Sequence, residues 1–281
     1  MAGEAKSCSN EFRPIPEGTF QMGSTNGESD ETTNTGKTVT VTVSAFQLQE
    51  HEVSVGEYQA FLDKAGSQLT AVLSGCSRGS STQTVQEKTL DQLRKSAAKI
   101  FVDSQCTTIE TNSESKKSVP DFSENRKGPD FPVVGLTLSE KVDYCASLGA
   151  RLMTAAERQR ASKGPNGTDE YGTPINKAII WDNGARTTAP VCGKHPERAN
   201  SFGIIDLAGN VWETTSDAYE ERFYDRMSSK DPKNPLTDPD KQFVELGGGS
   251  FYDSAGDARA AFRYYDSPDL RYGVVGFRCA R

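Results

Sequence analysis

The chain has 281 residues, of which 35% are apolar and 25% charged, and its net charge is −7. Those fractions are ordinary for a soluble globular protein of one or two domains, and the acidic balance excludes generic binding to a phosphate backbone, which needs a basic face. No nucleic-acid partner is expected, nor a direct membrane span, because no apolar run approaches the ~20 residues of a membrane helix.

The start, MAGEAKSCSNEF, has no apolar h-region, so no signal peptide is expected. Residues 1–11 read as a tail ahead of a single domain over 12–281. Phe12 to Gly23 gives a Pro turn and a short strand, and Ser24 to Gly36 a polar loop. Lys37 to Phe46 alternates Val and Thr and is the clearest strand signal. Ser54 and Glu57 form a capping box that opens a helix with Val55, Tyr58, Phe61 and Leu62 on its apolar face. Residues 66–130 turn polar and read as an insertion with an amphipathic piece at Thr89 to Phe101. Cys76 and Cys106 bracket that piece, and a disulfide across it would offset a thin core.

Phe131 to Gly135 starts a strand. Ser139 to Ser147 is a helix with Val142 and Cys145 on one face, stopped by Gly149. Thr154 and Glu157 form a second capping box. Trp181 to Arg186 and Gly203 to Thr215 read as loop, and Arg222 to Lys241 as a polar connection. Val244 to Phe251 and Val275 to Arg278 read as closing strands.

The six cysteines include no C-x-x-C, and only His51 and His195 supply imidazole, so a zinc site has little support. The even count fits disulfides in an oxidising compartment, with buried free thiols as the competing reading. Neither histidine lies near a Gly-rich Ser or Cys elbow, so nucleophilic catalysis has little support. Paired acids such as Asp266 with Asp269 read as solvated loop carboxylates. Asn200-Ser-Phe-Gly203 and Gly209-Asn-Val-Trp-Glu213 carry the hard oxygen donors that calcium takes; two turns satisfied by polar side chains are the alternative. No cofactor is required, and calcium is the one structural ion in question.

From Gly247 the chain reads GGGSFYDSAGDARAAFRYYDSPDLRYGVVGFRCAR and follows neither strand nor helix period. Gly248, Gly249, Ser250, Ala260, Ala261, Pro268, Asp269, Gly276, Phe277, Arg278 and Cys279 look like framework. Between them stand Tyr252, Asp253, Ser254, Asp257, Phe262, Tyr264, Tyr265, Asp266, Leu270, Tyr272, Gly273 and Val274. Tyrosine supplies rigid contact area with an adaptable hydroxyl and is enriched in binding loops. These twelve are expected to form one exposed ligand-binding patch in a variable region over 248–281.

The blocks FRPIPEGTFQMGS, FPVVGLTLSEKVDYCASLGARLMTAAERQRA, NSFGIIDLAGNVWE, GGGSF and VGFRCA, in this order, resemble the formylglycine-generating enzyme (sulfatase-modifying factor) family. The resemblance implies an α+β, C-type-lectin-like fold, loop-rich, with a twisted antiparallel sheet and flanking helices. It also implies a Cys145–Cys279 disulfide and places a family calcium site at Asn200, with carbonyls near Ser201 and Gly203. Active members carry two copper-binding cysteines just after the GGSF block. Those positions are Asp253 and Ala258 here, so the resemblance does not extend to the enzyme activity. Met153 and Arg158 also stand where the family usually has Pro and Trp.

The tail is further similar to the variable proteins of diversity-generating retroelements of the Treponema type. These systems turn AAC codons into NNC, which cannot encode Lys, Glu, Gln, Met or Trp, and none of these five occurs from Gly247 onward. A non-catalytic, monomeric receptor for a variable protein or surface ligand is expected, at the cell surface or outside the cell. Cys8 is a candidate for lipid attachment, although EAKS before it is no lipobox; a disulfide with Cys192 competes. A divergent oxidoreductase and a structural component of a surface complex are the alternative functions.

Overall fold

The computed structural model describes residues 11–24, 38–75 and 128–281 except 194, 241 and 270, with residues 66–75 as backbone only. The chain divides into two compact units, 1–56 with 120–281, and 57–119. The second takes the place of the insertion expected at 66–130. The Thr89–Phe101 helix and the Cys76–Cys106 disulfide lie outside the described residues.

The first unit opens with β1 (Phe12–Ile15), β2 (Gly18–Gly23), β3 (Thr38–Val43) and β4 (Phe46–Gln49). The Val/Thr alternation of β3 buries Val41 and Val43 and pairs the strand with β2 from Thr38↔Gly23 to Val43↔Gly18. Helix α1 (Val55–Gly75) begins directly after Ser54 and runs into the second unit, where Tyr58 and Phe61 place their rings 5.6 Å apart.

Helix α2 (Leu138–Ser147) starts one residue earlier than expected. Thr137 caps it, accepting from the Glu140 amide at 3.4 Å while Glu140 accepts from the Thr137 amide at 2.8 Å. Its buried face is Glu140, Lys141, Tyr144 and Cys145, and Val142 points outward, against the expectation. The apolar stems of charged side chains cover that face as well as a valine would. β5 (Arg151–Leu152) leads into α3 (Ala155–Ser162), whose Thr154–Glu157 capping box forms as expected, with bonds of 3.1 and 2.8 Å.

The remaining strands are β6 (Trp212–Ala218), β7 (Val244–Gly247), β8 (Tyr264–Asp266), β9 (Val275–Gly276) and β10 (Cys279–Ala280). Two four-stranded sheets, β1-β4-β10-β5 and β8-β7-β6-β9, accompany the β2-β3 hairpin. The pairing of β6 with β9 is parallel, a departure from an all-antiparallel sheet. Two expectations fail locally. Gly203 to Thr215 contains the first residues of β6, whose side chains, buried from Trp212 to Thr215, show no alternation to betray a strand. Phe131 to Gly135 contributes only an isolated bridge, Ser54↔Pro132. Cys145 and Cys279 form a disulfide that ties α2 to β10. Cys192 is disulfide-bonded too, and no cysteine is free among the described residues.

Candidate functional site: a depression on the C-terminal segment

Three anchors hold the tail. The first is the Gly247–Gly249 turn. Gly248 and Gly249 have φ of 100° and 69°, conformations that side chains other than hydrogen enter at a cost. A Cβ on Gly248 would meet Arg158 Nη2 at 2.5 Å and the Leu207 carbonyl at 3.1 Å. Arg158 itself is buried, donates to Leu207 O at 2.5 Å and lies 3.4 Å from Glu213. The second anchor is β8, paired with β7 from Leu246↔Tyr264 to Val244↔Asp266. The third is the terminal block. Arg278, fully buried, donates through Nε to Glu213 at 2.5 Å and through Nη2 to the Ile205 carbonyl at 2.8 Å. The Cys279 amide donates to Gln49 Oε1 at 2.7 Å.

The framework expectation fits this arrangement: Gly248, Gly249, Ser250, Ala260, Pro268, Gly276, Phe277, Arg278 and Cys279 are buried, Ala261 is half-buried and Asp269 exposed. The twelve interspersed positions behave differently. Tyr252, Ser254, Tyr264, Tyr265 and Tyr272 are exposed, and Asp253, Asp257, Asp266, Gly273 and Val274 are half-buried. Leu270 lies outside the described residues. Phe262 contradicts the expectation of exposure. It is 6% exposed and packs with Trp212, Val244, Leu246 and Val275, because a phenyl ring here closes a small core beneath the tail.

Nine of the twelve line one depression of about 350 Å³: Tyr252, Asp253, Asp257, Phe262, Tyr264, Tyr265, Asp266, Tyr272 and Val274. Ser254 and Gly273 do not reach it. Trp212, Leu246, Ser250 and Val275, which the sequence did not single out for the site, complete the lining. Trp212 could have been found from the block GNVWE, whose tryptophan is the one large ring in that block. The Tyr264 ring lies 5.4 Å from Trp212, and Tyr265 stacks on Tyr219 at 4.5 Å. On the other side Trp181 and Tyr252 meet edge to face at 5.7 Å, and the Trp181 amide donates to the Asp253 carbonyl at 2.9 Å.

The acids are held in distinct ways. The Asp253 carboxylate accepts from the Ser250 amide at 2.9 Å and from the Ser250 hydroxyl, and interacts with the Trp212 indole. Burial pushes its pKa up against those bonds. Asp257 Oδ2 accepts from the Ser254 amide and hydroxyl at 3.0 and 2.6 Å. Asp266 Oδ1 accepts from the Ser267 amide at 2.7 Å; burial raises this carboxyl too, offset by the charge of Lys141. Lys141 is buried, donates to Thr214 Oγ1 at 2.7 Å, and burial pulls its pKa down to about 7.

The side chains at both candidate metal positions serve other partners or carry no donor. At the positions of the family's copper cysteines stand Asp253, committed to Ser250, and Ala258, buried with no donor atom. Asn200 Oδ1 accepts from the Phe202 and Ile204 amides at 2.9 and 3.1 Å, and its Nδ2 donates to Ala161 O at 2.9 Å. Its oxygen thus serves the turn beside Ser201 and Gly203, and the set does not fit calcium. Among the described residues no cluster of three or more His, Cys, Asp or Glu could hold a metal ion.

The family model of the Sulfatase-modifying factor enzyme 1-like domain matches residues 2–281. The chain belongs to this family. It is 28% identical to the formylglycine-generating enzyme of Bos taurus over 288 aligned residues, 95% of this chain and 73% of that protein. PvdO from Pseudomonas aeruginosa shares the fold at a TM-score of 0.63 and 19% identity, over 95% of this chain and 92% of PvdO. Treponema denticola variable protein 1 does so at 0.59 and 19% identity, over 96% and 94%. These likenesses bear out the α+β fold expected from the family motifs.

Proposed function

We propose that this chain is a non-catalytic receptor whose C-terminal segment is a recognition surface diversified by a retroelement. One observation carries the reading: nine interspersed tail positions converge on a single depression, while the framework residues between them are mostly buried. A surface built this way tolerates exchange of its contacts without loss of the fold. The replacement of both copper-cysteine positions by Asp253 and Ala258 removes the thiolates that family catalysis uses. Treponema denticola variable protein 1, named as a variable protein, has the same fold. Display at the cell surface or outside the cell, with Cys8 as a candidate lipid-bearing residue, belongs to the same reading.

The test is genomic. A neighbouring reverse transcriptase and a near-copy of the 3′ end differing only at adenines are expected; absence of both would remove the diversification. The identity with bovine formylglycine-generating enzyme supports the alternative of a divergent oxidoreductase. Stoichiometric copper or iron in the purified protein, with oxidation of a cysteine peptide, would establish that alternative instead.

A further inference from the structure

The charge of the tail is segregated. From Gly247 onward there are five Arg and four Asp, so the segment is close to neutral. Yet among the described residues no Arg, Lys or His lines the depression, whereas Asp253, Asp257 and Asp266 do. Each tail arginine is tied elsewhere. Arg263 pairs with Glu245 at 2.6 Å and Arg271 with Glu140 at 2.7 Å. Arg278 pairs with Glu213 at 2.5 Å. Arg259 donates to Gly256 O at 2.9 Å and Arg281 to Gln47 Oε1 at 2.6 Å.

The acids are not equally committed. Asp253 serves Ser250 and Trp212. Asp257 and Asp266 each spend one oxygen on a neighbouring Ser and keep the other without a donor among the described residues. Lys141, buried on Thr214, offsets part of the Asp266 charge. The rings of Trp212, Tyr264 and Tyr272 line the same depression.

We infer that the depression takes an arginine side chain of a protein partner, its guanidinium between the tyrosine and tryptophan rings and the free oxygens of Asp257 and Asp266. Aromatic faces attract cations through the ring quadrupole. A guanidinium is planar, weakly hydrated and forked to match a carboxylate, which favours it over an ammonium. The space of about 350 Å³ lies at the small end of ligand pockets, enough for one long side chain. Burial raises Asp253 and Asp266, so an arriving cation also relieves a cost already present. The inference rests on the tail being a recognition surface.

The test is panning of a displayed random heptapeptide library on the whole protein, with subtraction on the Tyr264→Ser/Tyr272→Ser variant. Peptides retained only by the unaltered protein are expected to be enriched in arginine. Replacing that arginine by citrulline in the synthetic peptide should weaken binding at least ~10-fold. Asp257→Asn/Asp266→Asn should erase most of that difference. Site-dependent peptides without arginine, lysine serving equally, or an indifferent citrulline exchange would overturn the guanidinium and leave the receptor reading standing. No site-dependent peptide at all would overturn both.

Discussion

Replacing Gly248 by alanine probes the frame beneath the depression. Its φ of 100° costs an L-residue roughly 1–2 kcal/mol. The new methyl would also sit 2.5 Å from Arg158 Nη2 and 3.1 Å from the Leu207 carbonyl. Arg158 is only 2% exposed and cannot swing into solvent. Losing its charged bond to Leu207 O adds roughly 1.5–3 kcal/mol, for a total of about 2.5–5 kcal/mol. The contrast is Tyr252→Ser and Tyr272→Ser, at side chains 68% and 48% exposed, each expected within ~0.5 kcal/mol of neutral. Phe262→Ala should behave like the glycine variant, costing about 3–5 kcal/mol, because its ring fills a core. Urea unfolding, followed by Trp212 fluorescence in a Trp181→Phe background, measures all four. A loss above ~2 kcal/mol for either tyrosine, or below ~1 kcal/mol for Gly248→Ala, would refute the division into fixed frame and exchangeable contacts.

Three further outcomes are expected. Cys145→Ala/Cys279→Ala removes a cross-link spanning 134 residues, and loop entropy sets the loss of stability near 5 kcal/mol; an unchanged urea midpoint would contradict that. Lys141 has a folded pKa of about 7 against 10.5 when exposed, so between those values the unfolded chain binds more protons and stability rises with pH. Its penalty is full below pH ~7 and relieved toward ~10, and the stability difference between the protein and Lys141→Met should change across that window by up to ~1.4 kcal/mol per pH unit; a flat difference would place the ammonium in water. EDTA should leave the unfolding midpoint unchanged, because the Asn200 amide oxygen is occupied by the Phe202 and Ile204 amides; a loss above ~1 kcal/mol would place an ion there.

Much of the scaffold was legible because its signals are local. The alternation in β3 and the Thr154–Glu157 box each arise from neighbours in the chain, and each formed as read. The Cys145–Cys279 bond came from the family motifs and is present. What escaped was set by distant partners. β6 is buried along nearly its whole length between β7 and β9, so its polar residues gave no period. The apolarity of Val142 predicts an inward side chain, whereas Lys141 takes the buried place, where Thr214 meets its ammonium. In the tail, composition separated most frame residues from contacts, yet Phe262 could not be told from the tyrosines until β7 and Trp212 were seen beneath it. The share of Trp212 and Leu246 in the depression was hidden for the same reason, since both come from β6 and β7, strands that pair with β9 and β8 of the tail.

Deep sequencing of the 3′ end of the gene across a clonally expanded population tests the central claim most directly. The account predicts substitutions concentrated at the codons for Tyr252, Asp253, Ser254, Asp257, Tyr264, Tyr265, Asp266, Tyr272 and their interspersed companions, with Gly248, Gly249 and Phe277 to Cys279 unchanged. Substitutions spread evenly over frame and contact codons, or a tail invariant in every clone, would contradict it.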